Sequence, residues 1–66
     1  MKAFAFYVST AKLPSRSAKE VVNEVYLPDG RKAYVRVEQH DDCDDEAALD
    51  RAVLRPGEQL MNTHEL

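Results

Sequence analysis

Apolar residues alternate with small or polar ones near the start of the chain, over residues 2–9. Side chains of a strand point to opposite faces in turn, so this pattern predicts a strand. The predicted inner face carries Phe4, Phe6 and Val8, and the other face carries Ala5 and Tyr7. Residues 10–17 are mostly polar and contain Leu13-Pro14. Because proline disfavours the helical conformation in the residue before it, we expect a loop there.

Residues 18–27 are compatible with two different elements. Ser17 and Glu20 have the spacing of a capping box, which predicts a helix over residues 18–25. The β-branched and aromatic residues of the same stretch favour a strand: Val21, Val22, Val25 and Tyr26. The segment Leu27-Pro28-Asp29-Gly30 is typical of a tight turn, and residues 32–39 alternate cleanly after it. A tight turn before a clean strand favours a hairpin over the helix.

The second half of the chain predicts one helix and one short strand. Asp44 or Asp45 is suited to cap a helix that continues through residues 47–54, with Leu49, Ala52 and Val53 on one face. Pro56-Gly57 ends that helix. Residues 58–61 are predicted to form a last strand, and residues 62–66 a frayed tail.

The order of elements predicts the fold class. We expect a single small α+β domain over residues 1–66, with an antiparallel sheet of three to four strands in the order β-β-β-α-β and one helix packed on one sheet face. The predicted core is Phe4, Phe6, Val8, Val25, Leu27, Val35, Val37, Leu49, Val53 and Leu60. The other sheet face, bearing Tyr7, Tyr26, Tyr34 and Arg36, is expected to stay open to water or to a partner.

Size and cysteine content restrict the protein class. At 66 residues, 44% hydrophobic and 32% charged, the chain suits one folded domain with a small core. The single cysteine, Cys43, excludes an intramolecular disulfide, which favours a reducing compartment and hence the cytoplasm. The apolar run near the start is too short for a signal peptide, and no segment approaches the length of a membrane helix.

Charge is divided unevenly along the chain. Residues 1–37 carry seven bases and three acids, a net charge of +4, whereas residues 38–66 carry two bases and nine acids, a net charge of −7. Six of those acids lie between His40 and Asp50 with no base among them. Like charges this close repel one another unless solvent or a partner screens them. The predicted partner-binding residues are Asp41, Asp42, Asp44, Asp45, Glu46 and Asp50. The alternative is that this run is only the solvated approach to a helix.

The residues around Cys43 argue against an enzyme. A reactive cysteine needs a stabilised thiolate, and the flanking carboxylates disfavour a second negative charge. The acidic run has oxygen ligands suited to Ca²⁺ or Mg²⁺, but it lacks the central glycine of a calcium loop. We therefore predict no catalytic residue, no cofactor and no metal ion.

The final 35 or so residues resemble small phage-encoded inhibitors of RNA polymerase and of CRISPR effectors in size, charge and order of elements. This resemblance implies a protein–protein interaction module that docks an acidic, DNA-mimicking surface onto a basic nucleic acid-binding partner. Two alternatives come from other classes. One is a nucleic acid-binding regulator that uses the basic first loop and the tyrosine-bearing sheet face. The other is a structural subunit of a homo-oligomer, and the small core also predicts a homodimer.

Overall fold

The computed structural model describes all 66 residues and contains one sheet and one helix. The elements in chain order are β1 (Lys2–Ser9), β2 (Glu20–Tyr26), β3 (Lys32–Asp41), α1 (Asp45–Arg51) and β4 (Glu58–Glu65). The four strands form one antiparallel sheet in the order β2-β3-β1-β4. The predicted α+β class and order of elements are confirmed. The one helix, at seven residues, is far too short to cross a membrane.

The hairpin is confirmed, and the alternative helix over residues 18–25 is wrong. Strand β2 pairs along its whole length with β3, and Val21 lies opposite Val37. Leu27 accepts a hydrogen bond from the Gly30 N–H at 2.9 Å, which closes the turn, and Gly30 has a φ of 87°. Glycine adopts this φ without a steric penalty, so the turn sequence fixes the hairpin register.

Strand β1 occupies a central place in the sheet, between β3 and β4. Its register with β3 sets Phe6 opposite Val37, and a bulge interrupts its register with β4 after Phe6. Strand β4 continues to Glu65, which pairs with Ala3. Residues 62–65, predicted as part of a frayed tail, are therefore strand, because pairing with β1 satisfies their backbone groups.

Helix α1 is shorter than the sequence pattern indicates. The Asp44 carboxylate caps it by accepting a hydrogen bond from the Ala47 N–H at 2.8 Å. The chain leaves the helix at Ala52 in an extended conformation instead of continuing to residue 54. This early end lets the next residues cross the sheet, where the Val53 carbonyl accepts a hydrogen bond from Arg36 at 3.2 Å.

The helix covers the opposite sheet face from the one predicted. It packs against β1 and β4 on the side of Ala3, and Ala3, Cys43 and Ala48 form the small cluster at the contact. Strand alternation identifies the two faces of a strand but does not show which face the helix covers. The prediction placed the face with the larger side chains, Phe4, Phe6 and Val8, beneath the helix. Alanine on both elements lets the helix approach closely. As a result, none of the ten predicted core residues is fully buried.

Candidate interaction surfaces

One side of the sheet is apolar and left uncovered. We call it the apolar sheet face, and its members are Phe4, Phe6 and Val8 on β1, Val21 and Val25 on β2, and Val35 and Val37 on β3. The helix contacts the other side through Ala3. The loop after β1 lies on that other side too, since its Ala11 and Leu13 line a crevice with Arg36. Val21 is 55% exposed, and the remaining six side chains are half-buried by their own neighbours in the sheet.

The covered side of the sheet holds a buried ionic network centred on Arg36. The Arg36 side chain is only 3% exposed and donates two hydrogen bonds to the Glu58 carboxylate, at 2.7 and 2.8 Å. Its Nη1 atom lies 3.3 Å from Glu38 and 3.5 Å from Glu20. The guanidinium also stacks on the ring of the fully buried Tyr7, 3.9 Å from the ring centroid. A buried charge with this many partners is a structural element of the domain.

The network shifts the pKa values of its members in the directions expected of ion pairs. Hydrogen bonding to Glu58 raises the pKa of Arg36, and the same hydrogen bonds lower the pKa of Glu58. Burial alone would raise the pKa of Glu20, but hydrogen bonds from Arg55 and Arg16 outweigh it, so that pKa is lowered. Both carboxylates are therefore held ionised beneath the covering loop.

The structure corrects the predicted tyrosine-bearing open face. Tyr7 and Arg36 lie on the covered side of the sheet and are buried, and Tyr34 is half-buried. Only Tyr26 is largely exposed. Stacking of nucleotide bases requires accessible aromatic rings, so this face does not offer the platform that the sequence suggested.

Two of the six predicted partner-binding acids have roles within the fold. Asp41 forms an ion pair with Lys19 and accepts a hydrogen bond from Gln39 at 2.8 Å. The hydrogen bond from Lys19 is the main reason that the pKa of Asp41 is lowered. Asp44 caps α1, as described above. These two carboxylates explain part of the acidic run without any partner.

The other four acids carry no ion pair. We call Asp42, Asp45, Glu46 and Asp50 the acidic surface: all four are exposed, and their carboxylates form no hydrogen bond or salt bridge. Asp45, Glu46 and Asp50 belong to α1, whose Ala48 is buried against the sheet. Asp42 precedes the helix in a left-handed conformation, with a φ of 54°. The structure thus keeps four uncompensated charges together on and beside one helix.

Cys43 is packed in the small core and is only 5% exposed. Its Sγ atom lies 3.8 Å from the His40 carbonyl oxygen and contributes to the cluster with Ala3 and Ala48. No group of three or more His, Cys, Asp and Glu side chains is arranged to hold a metal ion. The position of Cys43 indicates a packing role.

The chain's concave features are small or open. A crevice of about 10 Å³ lies beneath the first loop, beside Arg36 and Glu58. A shallow groove of about 320 Å³ lies at one end of the sheet, between Val8, Leu27 and Gln59.

Comparison with protein-family models, with curated proteins and with solved structures finds no match to this chain.

The sequence pattern did not reveal the ionic network. Arg36, Glu20 and Glu58 are separated in sequence and come together only through the pairing of β2, β3, β1 and β4. Arg55 directly follows the predicted helix of residues 47–54, and in the structure its side chain bonds to Glu20. The one available signal was the placement of Arg36 in the middle of an alternating strand, where a charge needs a partner if that face is covered.

Proposed function

We propose that this protein is a non-catalytic protein–protein interaction module. The observation that carries the proposal is the open apolar sheet face. Its seven apolar side chains lie on three adjacent strands, on the side opposite the helix, the loop after β1 and the loop before β4. Contiguous exposed apolar patches on small domains mark interaction sites, because water contact with such a patch is unfavourable. A second protein surface relieves that cost by covering it.

The acidic surface defines the chemistry of a further partner. Its four carboxylates form no ion pair within the fold, so a basic protein is the complementary ligand. In keeping with the inhibitors that the sequence resembles, the acidic surface is proposed to occlude the basic nucleic acid-binding region of that protein. A small domain without a disulfide suits the cytoplasm, where such partners occur.

Affinity capture with matched charge variants tests the acidic docking. The test variant combines Glu46→Gln with Asp50→Asn, and the control combines Glu24→Gln with Asp29→Asn. Each pair removes one exposed Glu and one exposed Asp, and the control acids already have cationic neighbours in Lys32 and Arg31. Tagged proteins are incubated with lysate of the native cell at low and high salt, and bound proteins are identified by mass spectrometry.

We expect one basic protein to be retained by the wild type and by the control, and to be reduced in the test variant. Its retention should also fall at high salt, because exposed charge pairs are screened. Equal capture by all three proteins would show that the acidic surface is only a solvated helix start. Enrichment of no protein over an unrelated acidic domain of similar size would refute the proposed binding of a basic partner.

A further inference from the structure

We propose that the apolar sheet face is the interface of a homodimer, in which a second copy of this chain packs sheet on sheet about a two-fold axis. The inference rests on the proposed function and names the occupant of that face. It leaves the acidic surface free for the basic partner.

The single chain contains only a partial second layer. Its fully buried apolar residues are four alanines, Cys43 and Tyr7, and of these only Ala33 lies on the side that carries the phenylalanines and most of the valines. Domains are stabilised by burying a sheet between packed layers, and small ones often obtain the missing layer by association. A second copy provides that layer with the same apolar composition.

The apolar sheet face is self-complementary. Val21, Val37 and Phe6 lie side by side across three strands, and Asn62 continues the row on β4. In a two-fold interface each patch meets its own copy, so a charge near the axis would face a like charge. The alternation places no charged side chain in this region. Lys2 and Asp41 are charged exceptions on this side of the sheet and lie opposite each other at one end, where His64 also lies opposite Phe4.

The composition around the patch also fits an interface. The same side of the sheet carries uncharged polar residues at its borders, namely Asn23, Gln39, Gln59 and Asn62. Interfaces typically have an apolar centre depleted of charge and a polar rim. Two stacked sheets lie about 10 Å apart, which gives these borders room to form hydrogen bonds between copies.

Electrostatic repulsion does not oppose this arrangement. Each copy has a net charge of −3, but the acidic surface belongs to α1 and its approach, and α1 packs on the other side of the sheet. The two acidic surfaces would therefore be separated by both sheets. Exposed charges farther apart than about 10 Å are largely screened at moderate salt.

The area of the patch indicates a dimer of moderate affinity. The apolar sheet face together with its polar borders on β4 covers four strands about 4.8 Å apart and seven residues of about 3.3 Å each, which is a projected area of about 450 Å² per copy. The two copies together project about 900 Å², and the relief of the side chains adds to the accessible area. Interfaces near or below about 1,200 Å² are usually weak or transient. We therefore expect a dissociation constant in the micromolar range.

Analytical ultracentrifugation of the wild type and three valine variants tests the dimer. Val37→Lys places a charge at the centre of the face, and Val21→Lys places one at its side, on a residue that is already 55% exposed. Val53→Lys is the matched control, because Val53 is 72% exposed and lies outside the face. Circular dichroism of each variant shows whether the fold is retained.

The wild type and Val53→Lys should shift from the monomer mass of 7.5 kDa towards twice that mass as concentration rises. In Val37→Lys the dissociation constant should rise at least about tenfold, because an unpaired charge would be buried. Val21→Lys should show a smaller rise, and it keeps the test valid if Val37→Lys fails to fold. High salt should leave the wild-type dimer intact, since burial of apolar surface holds it.

Three outcomes would overturn the dimer. They are a monomer at every concentration, equal association in Val21→Lys and the control, and dissociation by salt alone. The salt result would indicate pairing of the +4 and −7 halves instead. The dimer and the docking of a basic partner can fail separately. A monomer that still captures a basic protein through Glu46 and Asp50 refutes only the dimer, and a dimer that captures none refutes only the acidic docking.

Discussion

Replacing Arg36 with methionine should destabilise the domain severely, because the change leaves buried carboxylates without their cation. Arg36 is 3% exposed, and the side chains of Glu58 and Glu20 are 2% and 5% exposed. Removing one partner of a buried ion pair costs about 3–5 kcal/mol. Glu58 keeps a hydrogen bond from the Arg55 N–H, and Glu20 keeps Arg55 itself. We therefore expect the lower end of that range, about 3 kcal/mol.

Urea unfolding followed by circular dichroism measures this loss. A domain of this size has a total stability of about 3–10 kcal/mol, so the Arg36→Met variant should be close to unfolding. With a urea slope of about 1 kcal/mol per molar, the midpoint should fall by about 3 M or vanish. All proteins are compared at one low concentration, because dimerisation would add a concentration-dependent contribution.

Two further variants separate the buried charge from other effects. Arg31→Met removes an exposed arginine that pairs with Asp29, and it should cost less than about 1 kcal/mol. Arg36→Met combined with Glu58→Gln removes the stranded charge and should recover part of the lost stability. If Arg36→Met costs no more than Arg31→Met, the network does not stabilise the fold. If the combined variant is no more stable than Arg36→Met, the unpaired Glu58 is not the cause of the loss.

Three other outcomes are expected. The folded-state pKa values of Glu20 and Glu58 are lowered from 4.5. Their contribution to the free energy of unfolding should therefore be complete above about pH 4.5 and be lost as the pH falls through the lowered values. Measurement of the unfolding free energy across an acid titration checks this. Cys43 should react slowly with a thiol reagent in native buffer and quickly in urea, since it is buried; equal rates would contradict the packing role. Asp44→Ala should lower the unfolding free energy by about 1 kcal/mol through loss of the helix cap, whereas Asp45→Ala, at an exposed position, should change it little.

The local elements could be predicted from the sequence because their signals are local. The turn at Leu27-Pro28-Asp29-Gly30 and the alternation after it specify the hairpin. Asp44 and the alanines after it specify the helix start. The extent of β4 could not be predicted in the same way, since residues 62–65 are strand through pairing with β1 rather than through their own propensity.

The placement of the faces needed tertiary information. Alternation on β1 separates Phe4 and Phe6 from Ala3 and Tyr7 but is symmetrical between the two sides. Which face is buried depends on where the helix and the loops pack. They pack on the side that carries Arg36 and its carboxylate partners. The roles of the predicted acidic residues also depend on tertiary contacts. Asp41 is distinguished from the unpaired acids by its ion pair with Lys19, and Asp44 by its capping of the helix.

The central position of β1 has a consequence for how the protein forms. This strand is synthesised before either of its neighbours, β3 and β4, so none of its own sheet pairing is available until much of the chain has emerged. Structures dominated by pairings distant in sequence fold slowly, on a scale of about milliseconds to seconds. Throughout that interval Phe4 and Phe6 are exposed on an unpaired strand, which is a form prone to aggregation. The topology therefore leaves the two phenylalanines of β1 without strand partners until β3 and β4 have been synthesised.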